Sequence, residues 1–371
     1  MERDRSILLF LCGDVMTGRG IDQVLPHPGD PTLYESFVRD AREYVRLAER
    51  ANDAIGRPVG YEYIWGDTLE ELRRAGVDLR VINLETSVAA SGDCWPDKQV
   101  LYRMNPRNVG CITSARIDCC CLANNHALDW GRAGLLETLK ALDAAGLRRA
   151  GAGRNEAEAK APAVLQAADK GRVLVFSLAS VTSGIPPEWA ATGDRPGVNL
   201  LADLSERTAR RTAAEVREVK RPGDVTIASI HWGANWGYEI PQAQVRFAHE
   251  LIDGGVDLIH GHSSHHVKAL EVYRNRLIIY GSGDFLNDYE GISGHETFRG
   301  DLTLMYLPRV DPARGHLVEL RLVPMQVRRL RLNRAARDDA EWLRDVLNRY
   351  ERQFGTAAHL EPDGTLRVRW A

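Results

Sequence analysis

Short runs of consecutive apolar residues recur along the chain, and each run ends in polar or glycine residues. The runs are ILLFLCGD, VDLRVINLE, IDCCCLANNH, RVLVFSLAS, DVTIASIHWG, VDLIHGHS and RLIIYGSGDF. Segments with helical spacing lie between many of them, for example residues 134–147 and 241–256. This alternation predicts an α/β fold, in which polar side chains gather at the carboxyl ends of the strands.

Two regions depart from this alternation. Residues 25–66 form a long insertion after the first predicted strand, with a helix expected over about 34–50, and we expect it to form one wall of a site. After about residue 300 the pattern changes to strands, then a charged helix (DDAEWLRDVLNRYERQF), then a final strand (GTLRVRW). We therefore predict one domain over residues 1–371, with a C-terminal elaboration from about 300.

The composition indicates an ordinary globular protein and excludes several partners. The net charge of the 371 residues is −3, which predicts no general attraction to nucleic acid or to an anionic membrane. The apolar run near the N-terminus is about six residues, too short for a signal sequence, and no run approaches the roughly 20 residues of a membrane span. Nothing in the sequence indicates the oligomeric state.

Six cysteines, three of them contiguous at Cys119, Cys120 and Cys121, do not resemble a disulfide framework, so we expect a cytoplasmic protein. Neighbouring residues of a strand point to opposite faces, so these three thiols cannot converge on one metal ion. Cysteine is also among the most buried residue types. The prediction is a buried, reduced strand just before the polar sequence Asn-Asn-His.

Polar residues that suit a metal follow the ends of successive predicted strands. They are Asp14, Glu85, Asn124, Asn125, His126, His231, His260, His262, His265 and His266. Each alone has an ordinary structural explanation, such as a helix cap or a hydrogen-bonded histidine. Together they form a mixed oxygen and nitrogen ligand set for Mn, Mg, Ca, Fe or Zn.

The ordered motifs GDVM, NLE, ANNHALDWG, HWG, GHSSHH and EVYRNRLIIYGSGDF resemble the CapA-like branch, of the poly-gamma-glutamate synthesis type, of the calcineurin-like metallophosphatases. The resemblance spans roughly residues 7–290. It implies a four-layer α/β/β/α sandwich with a metal centre at the strand ends. The metal ligands that it implies are Asp14, Glu85, Asn125, His231 and His262, with His265 as a further candidate. His126 matches the histidine that assists catalysis.

Departures from the parent pattern alter the expected chemistry. Two-metal phosphatases carry Asp-x-His in the first motif, where this chain has Met16, and a bridging Asp where it has Glu85. The loss points to a single divalent metal, or to a pair with one weak site, with Ca or Mn favoured over Zn and no organic cofactor. It also weakens the case for a two-metal phosphoryl-transfer clamp.

Acid/base groups remain beside the predicted ligands. His126 precedes Asp129 by three residues, and His295 lies in a glycine-flanked loop with Asp284, Asp288 and Asp301 near in sequence. A histidine oriented by an aspartate is suited to proton transfer near neutral pH. Two such pairs, with Asp14 beside them, would equip a two-base epimerase, although a helix cap at Asp129 and a surface position for His295 are also consistent with the sequence.

Lys98 and Arg103 fall in the segment KQVLYRMNP, which matches the same family, and two cations would suit an anionic group of a substrate. Tryptophans, including Trp232, cluster near the motifs in sequence and would suit a peptide side chain. A solvated loop for Lys98 and core positions for the tryptophans are the ordinary alternatives.

Three functions are consistent with these residues. The first is a metal-dependent Cα epimerase of a ribosomal, lasso-type precursor peptide, because the chain resembles the signal-free lasso-pathway members of the CapA-like branch. The second is a phosphoester hydrolase with an altered metal site. The third is an accessory protein in poly-gamma-glutamate or capsule polymer synthesis, whose function is binding.

Overall fold

The computed structural model describes residues 5–371 as a chain of strands and short helices. The strands are β1 (Ile7–Val15), β2 (Leu79–Leu84), β3 (Ser87–Val88), β4 (Arg103–Met104), β5 (Cys119–Cys121), β6 (Arg148–Ala150), β7 (Ala152–Gly153), β8 (Ala163–Ala167), β9 (Gly171–Ala179), β10 (Gly197–Val198), β11 (Val225–His231), β12 (Leu258–His262), β13 (Leu270–Tyr273), β14 (Arg276–Ile279), β15 (Asp284–Leu286), β16 (Leu302–Asp311), β17 (His316–Val327), β18 (Leu332–Arg334), β19 (Thr356–Leu360) and β20 (Leu366–Trp370). The α-helices are α1 (Arg19–Val24), α2 (Arg42–Ala51), α3 (Thr68–Ala75), α4 (Gly110–Ser114), α5 (Gly131–Ala144), α6 (Glu156–Lys160), α7 (Glu206–Val219), α8 (Gln242–Asp253), α9 (Arg337–Asn348) and α10 (Glu351–Phe354). Within this range, none of the helices has the length and apolar character needed to cross a bilayer.

Two large sheets organise the molecule. The larger has the strand order β19-β20-β17-β16-β1-β2-β5-β6, with β15 also paired to β1 and β18 to β17. The smaller has the order β13-β14-β12-β11-β9-β8. Parallel pairing joins β1, β2 and β5 in the first sheet and β9, β11 and β12 in the second, as the alternation of strands and helices predicted.

Three hydrophobic clusters separate four layers. One lies between the sheets and includes Leu9 and Val81 from the larger sheet and Val175 and Ile227 from the smaller. The second covers the outer face of the larger sheet with α3, α4 and α5, and the third covers the outer face of the smaller sheet with α7 and α8. The predicted α/β/β/α sandwich is therefore confirmed.

The end of β1 lies unusually close to the segment that precedes β15. A Cβ atom at Gly13 would fall 1.7 Å from the carbonyl oxygen of Gly283, so only glycine fits there. Asp14 donates its backbone N–H to that same carbonyl oxygen at 3.0 Å and pairs in register with Asp284. The close approach therefore places two carboxylates side by side at the edge of the sheet.

The insertion folds differently from the prediction in one respect. Its helix α2 begins at Arg42, and residues 34–41 form a loop instead of the predicted first turns; the Asp40 side chain accepts a hydrogen bond from the backbone N–H of Arg42 at 2.9 Å, as in an Asx turn. Phe37 from this loop and Tyr44 from α2 line a cavity of about 790 Å³. The insertion thus forms one wall, as expected.

The C-terminal elaboration extends the larger sheet. Strands β16 and β17 pair antiparallel next to β1, and β20 and β19 continue the sheet beyond them. The predicted charged helix is interrupted after Asn348 and resumes as the single turn α10, which ends at Gly355 with a φ of +64°. Strand β19 (TAAHL) was not predicted, since its apolar pattern is short and follows the helix directly.

The cysteine strand is buried, and this burial predicts its reactivity. Cys119, Cys120 and Cys121 form β5 and are fully buried; Cys120 faces the helices, and its two neighbours face the space between the sheets. Of the six free thiols, only Cys94 has appreciable exposure.

We expect iodoacetamide to modify one thiol of the native protein, at Cys94, and six thiols after unfolding in urea, because only a solvent-reachable thiol can react. Intact mass spectrometry gives both counts. A Cys94→Ser variant is the control and should show no native labelling. Rapid labelling of that variant at β5 would contradict the buried placement.

Candidate metal centre

Three donor side chains converge where the two sheets meet. Asp14 lies near the end of β1, and His231 and His262 are the last residues of β11 and β12. One ligand atom from each of these three buried residues lies within 4.8 Å of the others. The Nδ1 atoms of His231 and His262 are 2.8 Å apart, and His262 Nδ1 is 3.7 Å from the Asp14 carboxylate. Two imidazoles and one carboxylate match a familiar ligand set for transition metals.

The other predicted ligands surround this triad. The side-chain oxygen of Asn125 is 3.1 Å from His231 Nε2, and a carboxylate oxygen of Glu85 is 3.9 Å from His231 Nδ1. Asn83 donates hydrogen bonds from its amide to Asp14 at 2.7 Å and to Glu85 at 3.1 Å. Asn83 was absent from the predicted set, and it holds the two carboxylates in place.

The electrostatics of these residues fit a divalent cation. Burial, followed by the neighbouring Asp284 carboxylate, raises the pKa of Asp14 to about 7. Burial and Asp14 likewise raise the pKa of Glu85. Within residues 5–371, no lysine or arginine forms an ion pair with Asp14 or Glu85. A metal ion would supply the missing positive charge and favour the ionised carboxylates.

A histidine–aspartate pair lies directly beside the triad. His126 Nδ1 is 2.6 Å from Asp129, whose same carboxylate oxygen accepts the backbone N–H of Tyr102 at 2.6 Å. Burial lowers the pKa of His126 to about 4, against the opposite influence of Asp129, so the ring is neutral at pH 7. With Nδ1 facing the carboxylate, Nε2 is the atom free to accept a proton, and it lies 3.8 Å from Glu85.

A second pair lies across the same region. His265 Nδ1 is 2.8 Å from Asp284, and Asn287 donates its side-chain amide to the other oxygen of Asp284 at 3.0 Å. Burial, the largest single influence, lowers the pKa of His265. The charge and the hydrogen bond of Asp284 act in the opposite direction, and the net result is a raised pKa. His265 was predicted as a further metal ligand, and it lies outside the triad described above.

Both pairs open onto one cavity of about 790 Å³. Asn125, His126 and His265 line it, while the triad lies buried beneath. The insertion contributes Phe37 to one wall, and the loop after β15 contributes Ile292 to another. The volume is in the usual range for a site that binds a small molecule or a short peptide segment.

Comparisons with known proteins agree with the motif order. The family model described as "Bacterial capsule synthesis protein PGA_cap" matches residues 8–289. This chain is 48% identical over 363 residues to the probable polyglutamine synthesis accessory protein Rv0574c of Mycobacterium tuberculosis, covering 98% of this chain and 96% of that protein.

The chain belongs to the PGA_cap family. It is also 25% identical over 280 residues to the PGA biosynthesis protein CapA of Bacillus subtilis, covering 74% of this chain and 62% of that one. The capsule biosynthesis protein CapA of Bacillus anthracis is 29% identical over 290 residues, which cover 77% of this chain and 61% of that one. The predicted CapA-like resemblance is thus confirmed.

The structure corrects one predicted substrate contact in this PGA_cap member. Trp232 is 2% exposed, stacks on Tyr280 and packs against Phe247, and its indole N–H donates to the Tyr280 carbonyl oxygen at 3.0 Å. It belongs to the core beneath α8, because the first residue after β11 points to the helix-covered face. Trp236, four residues later, lines the cavity instead.

The two predicted substrate cations have other partners. The Arg103 guanidinium lies 3.5 Å above the Trp130 ring and 3.7 Å from Asp30, outside the residues that line the cavity. Lys98 does line the cavity, but its ammonium forms an ion pair with Asp129 and lies 3.1 Å from His126 Nδ1. Lys98 therefore orients the His126–Asp129 pair, and neither cation is positioned as predicted to hold an anion.

His295 has a different neighbour from the one predicted. Its ring lies parallel to Trp236, with centroids 4.0 Å apart and an angle of 10°. The three candidate aspartates are engaged elsewhere: Asp284 with His265, Asp288 with Arg19, and Asp301 with Arg299. His295 thus lines the cavity as part of an aromatic surface, and the second histidine–aspartate pair is formed by His265.

Arg19 is another residue that the sequence patterns did not single out. It is 4% exposed, has a φ of +46° and joins Glu35 of the insertion, at 2.7 Å, to Asp288 of the loop after β15. Its position just inside a short helix carries no motif, and its partners are distant in sequence. No spacing rule could have identified it.

Lys268, which follows the site histidines, is a buried lysine whose replacement should stabilise the protein. It is 6% exposed, its stem packs against Gly281, and no carboxylate within residues 5–371 forms an ion pair with its ammonium. Burial lowers its pKa to about 8.

We expect Lys268→Met to raise the free energy of unfolding at pH 7 by roughly 1–3 kcal/mol, because the buried charge is removed and the volume is kept. The unfolded chain binds the lysine proton more tightly, so the wild type should gain stability as pH rises from about 8 toward 10.5, and the variant should not. Urea unfolding across this pH range measures both. A less stable variant at pH 7 would contradict the assignment.

Proposed function

We propose that this protein is a metal-dependent acid/base enzyme that acts on an amide-linked chain, as an accessory to the synthesis of a polyglutamine- or polyglutamate-type polymer. The observation that carries the proposal is the His126–Asp129 pair beside the Asp14, His231 and His262 donors. The printed names of the relatives support the polymer class. Such a role would use both the binding cavity and the acid/base groups that line it.

A divalent ion held by Asp14, His231 and His262, with Asn125 and Glu85 beside them, would supply Lewis-acid polarisation of a carbonyl oxygen. The imidazoles favour Mn²⁺ or Zn²⁺ over Ca²⁺. His126 accepts a proton at Nε2, and Asp129 holds its Nδ1–H and stabilises the cation that forms. Lys98 and the Tyr102 backbone fix the orientation of Asp129.

For cleavage of an amide bond, His126 takes a proton from the attacking water and returns one to the departing amine. The bond between carbonyl carbon and nitrogen breaks, and the products are a carboxylic acid and an amine. This reaction needs one acid/base group, which the His126–Asp129 pair provides.

Epimerisation at Cα is the second candidate, and the His265–Asp284 pair favours it. The histidine of this pair, His265, lines the same cavity as His126. One histidine would remove the Cα proton, and the other would deliver a proton to the opposite face, so the residue changes configuration with no bond to a heavy atom broken. A peptide of the ribosomal type is the substrate that this reaction would use.

The geometry gives less support to a phosphoester substrate. Lys98 forms an ion pair with Asp129, and Arg103 lies outside the cavity lining, so neither is positioned to neutralise the negative charge of a phosphate. Met16 is buried in the position where two-metal phosphatases carry a ligand histidine.

The reaction can be assigned by incubating the protein with Mn²⁺ in heavy water. Separate samples contain short glutamine oligomers, short glutamate oligomers, a mixed-sequence peptide and an aryl phosphate. New chain ends detected by mass spectrometry support cleavage, and deuterium at one Cα without cleavage supports epimerisation. Phosphate release alone would overturn the proposal, and tight binding without any reaction would leave a non-catalytic accessory role.

A further inference from the structure

The most buried cation of the cavity is already neutralised. Arg19 lies between Glu35, at 2.7 Å, and Asp288, and its guanidinium also stacks over Tyr44 and Tyr102. Two carboxylates therefore surround one guanidinium. A substrate carboxylate that approached this arginine would meet a site with net negative charge.

The other two cations of the lining are paired in the same way. The Lys98 ammonium forms its ion pair with Asp129. Arg299 binds Asp301 through two nitrogens, at 2.8 and 2.9 Å, and Asp339 at 2.9 Å. Every lysine and arginine that lines the cavity thus has a carboxylate partner from the protein.

Three acids of the lining have no such partner, and one of them, Glu290, instead accepts the backbone N–H groups of Arg329 and Leu330, each at 2.6 Å. Asp97 and Glu296 are both exposed, and within residues 5–371 neither forms an ion pair with a lysine or arginine. The lining also carries side-chain amides, among them those of Gln99 and Asn235. Phe37 and Ile292, also in the lining, are among the most exposed large apolar side chains of the molecule. The walls above the metal centre are therefore acidic, amide-bearing and apolar.

We infer that the cavity selects chains with uncharged side chains, such as glutamine or neutral peptide residues, and rejects a polyanion such as polyglutamate. The inference rests on the proposed function and names the substrate class of that site. Amide side chains can exchange hydrogen bonds with Gln99 and Asn235, whereas a row of glutamates would add negative charge to walls that carry Asp97 and Glu296 and no unpaired lysine or arginine. Like charges placed together across an interface oppose binding and so exclude a wrong partner.

Calorimetric titration of the full chain with Mn²⁺ tests this selection. The probes are N-acetylated, C-amidated oligomers of glutamine and of glutamate, matched in length, so that only the side-chain charge differs. At low salt the glutamine oligomer should bind at least about tenfold more tightly, and the difference should shrink at high salt because screening weakens the repulsion.

A charge variant makes the test specific to the cavity. The double variant Asp97→Asn with Glu296→Lys should raise the affinity for the glutamate oligomer, relative to that for the glutamine oligomer, by about tenfold. Asparagine is chosen because position 97 has a φ of +61°, which asparagine tolerates. Asp169→Asn with Glu218→Lys, two exposed positions outside the cavity lining, makes the same charge change and should alter neither affinity.

Equal or tighter binding of the glutamate oligomer by the wild type would overturn the inference and leave the proposed function intact. If both double variants gained the same affinity for the glutamate oligomer, the inference would also be overturned, because the effect would then come from the net charge of the protein. If neither oligomer binds or reacts, the proposed function itself fails, and the inference fails with it.

Discussion

Replacing His126 with alanine is expected to lower turnover of the amide-linked substrate by about 10²–10⁴-fold, because Nε2 is then lost as the proton acceptor. Turnover with and without Mn²⁺, measured by mass spectrometry of the products, gives the ratio. Manganese affinity should change little, since His126 lies beside the triad and is not part of it.

His359→Ala is the matched control, because His359 is exposed on β19 and lies outside the cavity lining. Asp129→Asn should approach the loss seen for His126→Ala, since the amide can donate to Nδ1 and so favour the wrong tautomer. Full activity of both site variants would rule out this pair as the acid/base group.

Replacing Asp14 with asparagine, together with His262→Ala, should abolish stabilisation by metal. A ligand at about 100 times its Kd adds about 2.7 kcal/mol to the free energy of unfolding, provided that it binds only the folded chain. The wild type, freed of metal by dialysis against EDTA, should therefore gain this stability on addition of Mn²⁺, and the double variant should gain none. Urea unfolding with and without the ion measures the difference.

The affinity for Mn²⁺ should also depend on pH. Because the metal-free pKa of Asp14 is about 7, a proton must leave this carboxyl before the ion can bind at lower pH. Mn²⁺ affinity should fall about tenfold for each pH unit below 7, and calorimetry should detect proton release. Asp169→Asn, at an exposed position, is the control. An affinity independent of pH in the wild type would exclude Asp14 as a ligand.

The sequence predicted the features that depend on backbone direction. Residues at the ends of parallel strands must meet at one edge of a sheet, so Asp14, His231 and His262 could be placed together from the apolar runs that precede them. The same reasoning placed Cys119–Cys121 in a buried strand. The period of the apolar pattern carries this information.

Side-chain partners were harder to predict. Asp284 was one of three aspartates considered beside His295 because they are near it in sequence, yet β15 pairs with β1 and Asp284 lies 2.8 Å from His265. Arg103 was placed at the site because its segment matches the family, and Trp232 because it lies among tryptophans close to the motifs. The position of a residue within a motif does not determine which face of the sheet its side chain occupies. In loops, contacts with residues distant in sequence determine where the side chain points.

Arg19 and Asp288, which join two walls of the cavity, are 269 positions apart in the chain. Contacts of such wide sequence separation form slowly, because a large loop must close before they are gained. The metal centre has the same property, since Asp14 is held in place by the segment that leads into β15. Its ligands would come together only late in folding, after most of the chain has left the ribosome. A bound ion would accordingly slow unfolding of the finished protein and leave its rate of folding almost unchanged.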